Sequence, residues 1–263
     1  MPSYLITGAS RGLGLAMTEK LLEDPNNVVV ATARDTTASG LKALEATTPK
    51  ERLHLVTLDV SKEEVFPAAV AAAEAVLPNG LDYLIVNAGV DHQTLKTFGN
   101  DVDFKLFQEE FFVNAIAPAI TVRSFTPLLN QGTAKKVLFM GTVLGSLTLA
   151  ESVPMLADTY SVGKAAMNMV VRKYAGALKA QGSDILLISV FPVGLGFLLY
   201  GGLGLVPVTA IGQSLIEYLD KYAPDYPRTP LDESIQGTID VLHTFTKEEH
   251  GSFVNWKHES CPW

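Results

Sequence analysis

The stretch "SYLITGASRGLGLAMTEKLL", residues 3–22, passes from a strand through a glycine turn into a helix. "SYLIT" (3 to 7) is a continuous apolar and β-branched run, as expected of a strand covered on both faces. "TGASRGLG", Thr7 to Gly14, follows directly and opens a helical segment near 12 to 24. Glycine suits this turn because the backbone must bend tightly and come close to a pyrophosphate, whose charge the free N–H groups of a helix N-terminus would meet. The spacing G-x-x-x-G-x-G differs by one residue from the commoner dinucleotide pattern, and alone it also fits an ordinary strand-to-helix turn. Gly8, Ser10, Arg11, Gly12, Leu13 and Gly14 are the candidate cradle.

The same rhythm continues outward. "NVVVATA" (27 to 33), "LHLVTL" (53 to 58), "LDYLIVN" (81 to 87), "KKVLFM" (135 to 140) and "DILLISV" (184 to 190) read as further strands, and "SFVNW" as a short last one. Helical candidates lie near 36 to 47, 61 to 77, 103 to 130, 158 to 181, 209 to 222 and 230 to 246. Strand and helix in alternation imply right-handed crossovers, hence an α/β fold with a doubly wound parallel sheet of about seven strands and helices on both faces. Ser61 with Glu64 predicts a capping box, with Pro67 making the following turns irregular. No Pro-, Gly- or Ser-rich linker and no internal repeat divides the 263 residues, so one domain is expected.

Composition narrows the function. A net charge of -8 argues against nucleic acid as a partner. The single cysteine, Cys261, excludes an internal disulfide and leaves too few thiolates for a zinc or iron-sulfur centre. The five histidines show no ligand spacing, so no metal is expected; His250 and His258 are expected in solvent. The N-terminus lacks a basic region ahead of its apolar run, which argues against a signal peptide and for a cytoplasmic location. The acidic doublets, Glu109–Glu110 among them, read as exposed helix faces.

Two further signals carry chemistry. After the second strand, where an acid would hold a ribose 2'-hydroxyl, "VVVATARD" has Arg34, which with Arg11 suits a 2'-phosphate; NADP(H) is favoured over NAD(H), although a shift of one residue would put Asp35 there. "TYSVGKAAMNMVV" sets Tyr160 and Lys164 four apart on one helix face. A neighbouring ammonium favours a phenolate, so the pair could serve acid-base chemistry at a carbonyl. The spacing alone equally describes a surface pair.

Taken together, "TGASRGLG", "LDV" with Asp59 and Val60, "NAG" (Asn87, Ala88, Gly89) and "YSVGK" resemble the short-chain dehydrogenase/reductase family in order and spacing, from Ser3 to about Pro192. The ending "GSFVNWKHESCPW" is similar, more weakly, to the C-factor-like and fungal carbonyl reductase branch. The resemblance implies a single Rossmann-fold domain over 1–263, binding NADP(H) and passing a hydride to a ketone or aldehyde. It assigns Tyr160 as proton donor, Lys164 to lower the tyrosine pKa and bond the nicotinamide ribose, and Asn114 of "FFVNAIAP" to a proton relay. Thr142 of "FMGTVLGS" stands where the family usually has a serine that bonds the substrate oxygen, with Ser146 as the fallback. Pro192 and Gly194 match the turn beside the nicotinamide, altered here by Val193. A homodimer or homotetramer is compatible with the family. A relative performing a non-redox cyclisation or isomerisation, or a non-catalytic NADP(H)-binding protein, are the alternatives.

From Ile185 to Ile216 no side chain is charged. Pro192, Pro207 and the interspersed glycines break any continuous apolar helix, so no transmembrane span is expected. The segment 191–230 instead reads as an apolar lid, with Phe197, Leu198 and Tyr200, and His92 after the "NAG" turn, facing a hydrophobic carbonyl substrate.

Overall fold

The computed structural model describes residues 1–152, 156–192 and 230–263. The proposed lid residues Gly194, Phe197, Leu198 and Tyr200, and the helix expected near 209 to 222, lie outside the described residues. Seven strands, Ser3–Thr7 (β1), Val28–Ala33 (β2), Leu53–Thr57 (β3), Tyr83–Val86 (β4), Lys136–Met140 (β5), Leu186–Phe191 (β6) and Ser252–Asn255 (β7), form one sheet in the order β3-β2-β1-β4-β5-β6-β7. Every pairing is parallel. The helices described are Gly12–Leu22 (α1), Ser39–Thr47 (α2), Phe66–Val76 (α3), Phe104–Phe111 (α4), Ala117–Gln131 (α5), Asp158–Ala180 (α6) and Leu231–Thr244 (α7).

Successive residues of each central strand enter opposite layers, because side chains alternate across a pleated sheet. Leu5, Val30, Leu84, Val137 and Leu187 face one core with Phe66 and Ala73 of α3, Phe125 and Leu128 of α5, and Met167 and Val171 of α6. Their neighbours Ile6, Val29, Ile85, Leu138 and Ile188 face the other, with Met17 and Leu21 of α1, Leu41 of α2, and Ile235, Ile239 and Leu242 of α7. Both faces are thus dry, and the strands lack the polar alternation of a half-exposed sheet. β2 and β3 extend from one side of β1 and β4 from the other. The strand order reverses between β1 and β4, and a crevice opens at their carboxyl ends.

The expected helix near 103 to 130 is interrupted by a π-turn, Phe112–Ile116, between α4 and α5. Pro118, four residues after Asn114, has no amide hydrogen to give the Asn114 carbonyl, and the chain widens its turn there. Among the described residues Phe104–Gln131 is long and apolar enough to cross a membrane, but 56% of its most apolar window is buried inside the protein. The uncharged run begins as β6, an interior strand of the sheet, and not as a membrane helix.

Three expectations are corrected. Ser61 does not form a capping box with Glu64: its hydroxyl donates to Asp59 Oδ1 (2.7 Å), and Pro67 takes its place in the first turn of α3, where a missing N–H costs nothing. The capping box lies at Thr246 and Glu249. His250 is not simply solvated, since its Nδ1 accepts from Leu187 N–H (3.0 Å) and its Nε2 meets the Ala175 carbonyl (3.0 Å). The ring extends the β6 ladder just before β7 begins. His258, likewise expected in solvent, pairs with Glu249 at 2.7 Å.

Candidate active site

Gly8 (φ 69°) and Gly12 (φ 58°) hold left-handed backbone that a side chain would strain. A Cβ on Gly14 would lie 2.4 Å from the Gly8 carbonyl and 2.6 Å from Asn87 Nδ2, so α1 packs against the turn at a distance only glycine allows. Asn87 ties the two sides of the crevice together: its Nδ2 donates to the carbonyls of Thr7 (2.8 Å) and Gly8 (3.2 Å). Thr7 Oγ1 in turn accepts from the amides of Asn87 and Ala88. Arg11 precedes α1 in extended backbone and gives it no side-chain cap. The first amides of α1 therefore point, without a side chain among the described residues to meet them, at the place a phosphate would take. This cradle fits the pyrophosphate of a dinucleotide, with Ser10 and Leu13 partly buried within it.

Around the cradle, Arg11 and Arg34 are both exposed at the crevice edge. Asp35, which competed with Arg34 for the ribose position, turns its carboxylate onto its own loop, where Oδ1 accepts from Thr37 N (2.8 Å) and Oγ1 (2.5 Å). Those bonds lower the Asp35 pKa. Asp35 stays ionised and bound within its own loop, and Arg34 next to it is exposed. Asp59 similarly closes a turn on Ser61 through its N–H (3.1 Å) and hydroxyl, beside a partly buried Val60. Pro192 is buried at the end of β6, its carbonyl held by the Ser234 hydroxyl, a partner the sequence did not suggest.

On the other side of the crevice, α6 carries Tyr160 (8% exposed) and Lys164 (3% exposed). The surface-pair reading of their spacing is excluded by that burial. Lys164 Nζ donates to the Met140 carbonyl at the end of β5 (2.9 Å) and lies 5.6 Å from the Tyr160 ring centroid. Burial pushes Lys164 down to about 8. Burial, joined by the charge of Asp91, pushes the Tyr160 phenol above its ordinary value. A buried phenol of this kind keeps its proton at neutral pH.

Asn114 is fully buried in the π-turn, its amide exchanging bonds with the backbone of Val90: Nδ2 donates to Val90 O (2.7 Å) and Oδ1 accepts from Val90 N (3.0 Å). The side chain is therefore committed to the segment after "NAG", and Pro118 leaves the Asn114 carbonyl without its helical donor. A Cβ on Gly89 would lie 3.1 Å from Asn114 Oδ1 and 3.6 Å from Lys164 Nζ, which places the three side by side. Thr142 Oγ1 accepts from Leu144 N (3.3 Å) and Ser146 Oγ from Leu149 N (3.3 Å). Each hydroxyl keeps a proton to donate.

The sequence missed two acids. Glu110, expected on an exposed face, is 0% exposed. Its Oε1 accepts from His92 N–H while Oε2 has no partner among the described residues. Asp91, beside Glu110, accepts from Gln93 N (3.1 Å) and Thr94 Oγ1 (2.8 Å). Residues 91–96 line an open depression of about 270 Å³, with the His92 side chain exposed on its wall. Leu95, on the wall of this depression, is 57% exposed and adds apolar surface to it. Among the described residues no group of His, Cys, Asp or Glu is arranged to hold a metal ion.

Comparison with known proteins agrees with this geometry. The family model described as short chain dehydrogenase matches residues 3–197. The short-chain dehydrogenase/reductase AacuF of Aspergillus aculeatus is 31% identical over 273 residues, covering 97% of each chain. The short chain dehydrogenase virK of Hypocrea virens is 29% identical over 276 residues, covering 100% of each. Among solved structures, the NADPH-bound carbonyl reductase from chicken fatty liver superposes with a TM-score of 0.81 at 27% identity, covering 100% of this chain and 99% of that one.

Proposed function

Because the chain belongs to the short chain dehydrogenase family and is an oxidoreductase, we propose that it reduces the carbonyl group of a hydrophobic small molecule at the expense of NADPH. The observation that carries the reading is the burial of Tyr160 and Lys164 beside Asn114, across the crevice from the glycine cradle. NADPH, when bound, supplies the hydride. The first amides of α1 hold the pyrophosphate, and Arg34 with Arg11 meets the 2'-phosphate. Tyr160, kept protonated by burial, gives its hydroxyl proton to the carbonyl oxygen as the carbon accepts the hydride. The hydroxyl of Thr142 donates to the same oxygen and stabilises its developing charge, with Ser146 next along the loop. Lys164 sits behind Tyr160 with a charge that offsets the phenolate left after transfer. The Asn114 carbonyl, relieved of its helical partner by Pro118, offers an acceptor to a relay that returns a proton to Tyr160.

The partner for which this surface is suited is an apolar carbonyl compound, as the exposed Leu95 of the 91–96 depression suggests. The test is a panel of ketones and aldehydes with NADPH consumption followed by absorbance. The expected result is turnover of at least one hydrophobic carbonyl, faster with NADPH than with NADH. Arg34→Ala should then weaken NADPH by about tenfold or more and leave NADH nearly unchanged. Tight NADPH binding with no carbonyl turned over would sink the reductase reading, and equal losses for the two cofactors would sink the role of Arg34.

A further inference from the structure

β7 stands at the end of the strand order, and the residues that follow it fold back along its outer side. The backbone reverses at His258 (φ 66°) and returns antiparallel, with Asn255 N donating to Glu259 O (2.9 Å) and Cys261 N to Phe253 O (2.9 Å). Side chains fasten the reversal: His258 pairs with Glu249 (2.7 Å), and Asn255 Nδ2 donates to Glu259 Oε2 (2.6 Å). The returning segment ends on Trp263, whose ring packs against Phe253 (centroids 5.5 Å apart) and lies 5.6 Å from the guanidinium carbon of Arg172. Arg172 belongs to α6 and is itself tied to the Gly251 carbonyl (3.2 Å).

The main-chain oxygen of Trp263 accepts two bonds from a single residue, Thr148 N (2.8 Å) and Thr148 Oγ1 (2.6 Å). Thr148 sits on the loop after β5 that carries Thr142 and Ser146. The middle of that loop is seated on α6. A Cβ on Gly145 would lie 2.8 Å from the Lys164 carbonyl carbon, and the Gly145 carbonyl accepts from Asn168 Nδ2 (3.2 Å). Asn168 Oδ1 in turn accepts from Ser189 Oγ of β6 (3.1 Å). Ser146, 1% exposed, is thus held between a tie to α6 and a tie to Trp263.

We infer that Trp263 is a positioning residue. Its ring, anchored on Phe253 and Arg172, fixes the oxygen to which Thr148 is bonded, and so holds in place the loop that presents Thr142 and Ser146 to the carbonyl oxygen. The consequence for catalysis rests on the hydroxyl roles proposed above. A hydroxyl stabilises a developing charge only from a narrow range of positions, so a loop fastened at its middle alone would present its donors less often in the productive geometry. Trp263 acts through Thr148 and takes no part in the proton or hydride transfer.

Trp263→Ala removes the ring, whereas Trp263→Phe keeps one to stack on Phe253 and meet Arg172. Amide hydrogen exchange of the full chain would be followed at Gly145, Ser146 and Leu149 in the loop, with Leu84 and Leu138 of the central strands as references. In Trp263→Ala the loop amides should exchange faster by about tenfold or more beyond any change at the two references, and in Trp263→Phe they should stay within about threefold of wild type. Carbonyl reduction on the same preparations should fall by about tenfold in Trp263→Ala and recover in Trp263→Phe. Loop exchange in Trp263→Ala that keeps pace with the references, whether unchanged or raised with them, overturns the inference. Loop amides already unprotected in wild type overturn it too, and so does a loop freed in Trp263→Ala with reduction undiminished. A wild type that reduces no carbonyl would defeat the proposed function, and the exchange rates would still decide whether Trp263 holds the loop.

Discussion

Tyr160 and Lys164 were legible because four-residue spacing at a helix start puts two side chains on one face, and burial then separates them from the many surface pairs with that spacing. Glu110 was not legible, because in the doublet Glu109–Glu110 one residue faces water and the next enters the protein, and nothing local tells them apart. Asp91 was missed for another reason: it lies in irregular backbone whose bonds to Gln93, Thr94 and indirectly Ala157 depend on tertiary approach. Burial without a carboxylate partner, which pushes Lys164 down to about 8, has a consequence for rate. The ammonium is present below that pH and lost as pH rises through it, while the phenol, pushed the other way, is still protonated there. The rate of carbonyl reduction should therefore decline as pH passes about 8. A pH profile that stayed level to about 10 would show that the charge on Lys164 is not needed.

At the scale of elements, the strands fell within a residue or two of their sequence bounds because continuous apolar runs leave little freedom in a sheet covered on both faces. The long helix was read as unbroken, and the signal that it widens was present in the sequence as Pro118 four residues after Asn114. The capping box at Ser61 failed because the helical turn is entered one residue later, from Lys62, while the Ser61 hydroxyl closes a local turn on Asp59. The join of β6 to β7 depends on His250, which serves Leu187 N–H as a strand neighbour would. Replacing it with phenylalanine should cost about 1–3 kcal/mol by leaving that amide unpaired, a fall in Tm of several degrees. Burial lowers the His250 pKa, so the ring is neutral where its bonds are made. Stability from this group should be full above the ordinary histidine range of about 6.5 and be lost as pH falls below it. Equal thermal stability of His250→Phe and wild type at about pH 7 would refute the pinning role.

At the scale of the whole molecule, alternation of strand and helix was enough to predict a doubly wound sheet, and the reversal of strand order between β1 and β4 then dictates where a dinucleotide lies. The cofactor cradle, with Gly8, Gly12 and Gly14, was readable because close backbone approach demands glycine in any context. The substrate side was much less so, since its walls come from loops whose course the residue pattern does not encode. What unites the molecule is a crevice with the glycine cradle on one lip and the buried Tyr160 phenol on the other. The most direct test replaces Tyr160 with phenylalanine and measures NADPH binding and carbonyl reduction on the same preparation. NADPH affinity should stay within about threefold of wild type while the reduction rate falls by about 10²-fold or more. Reduction at an undiminished rate in Tyr160→Phe would contradict the account.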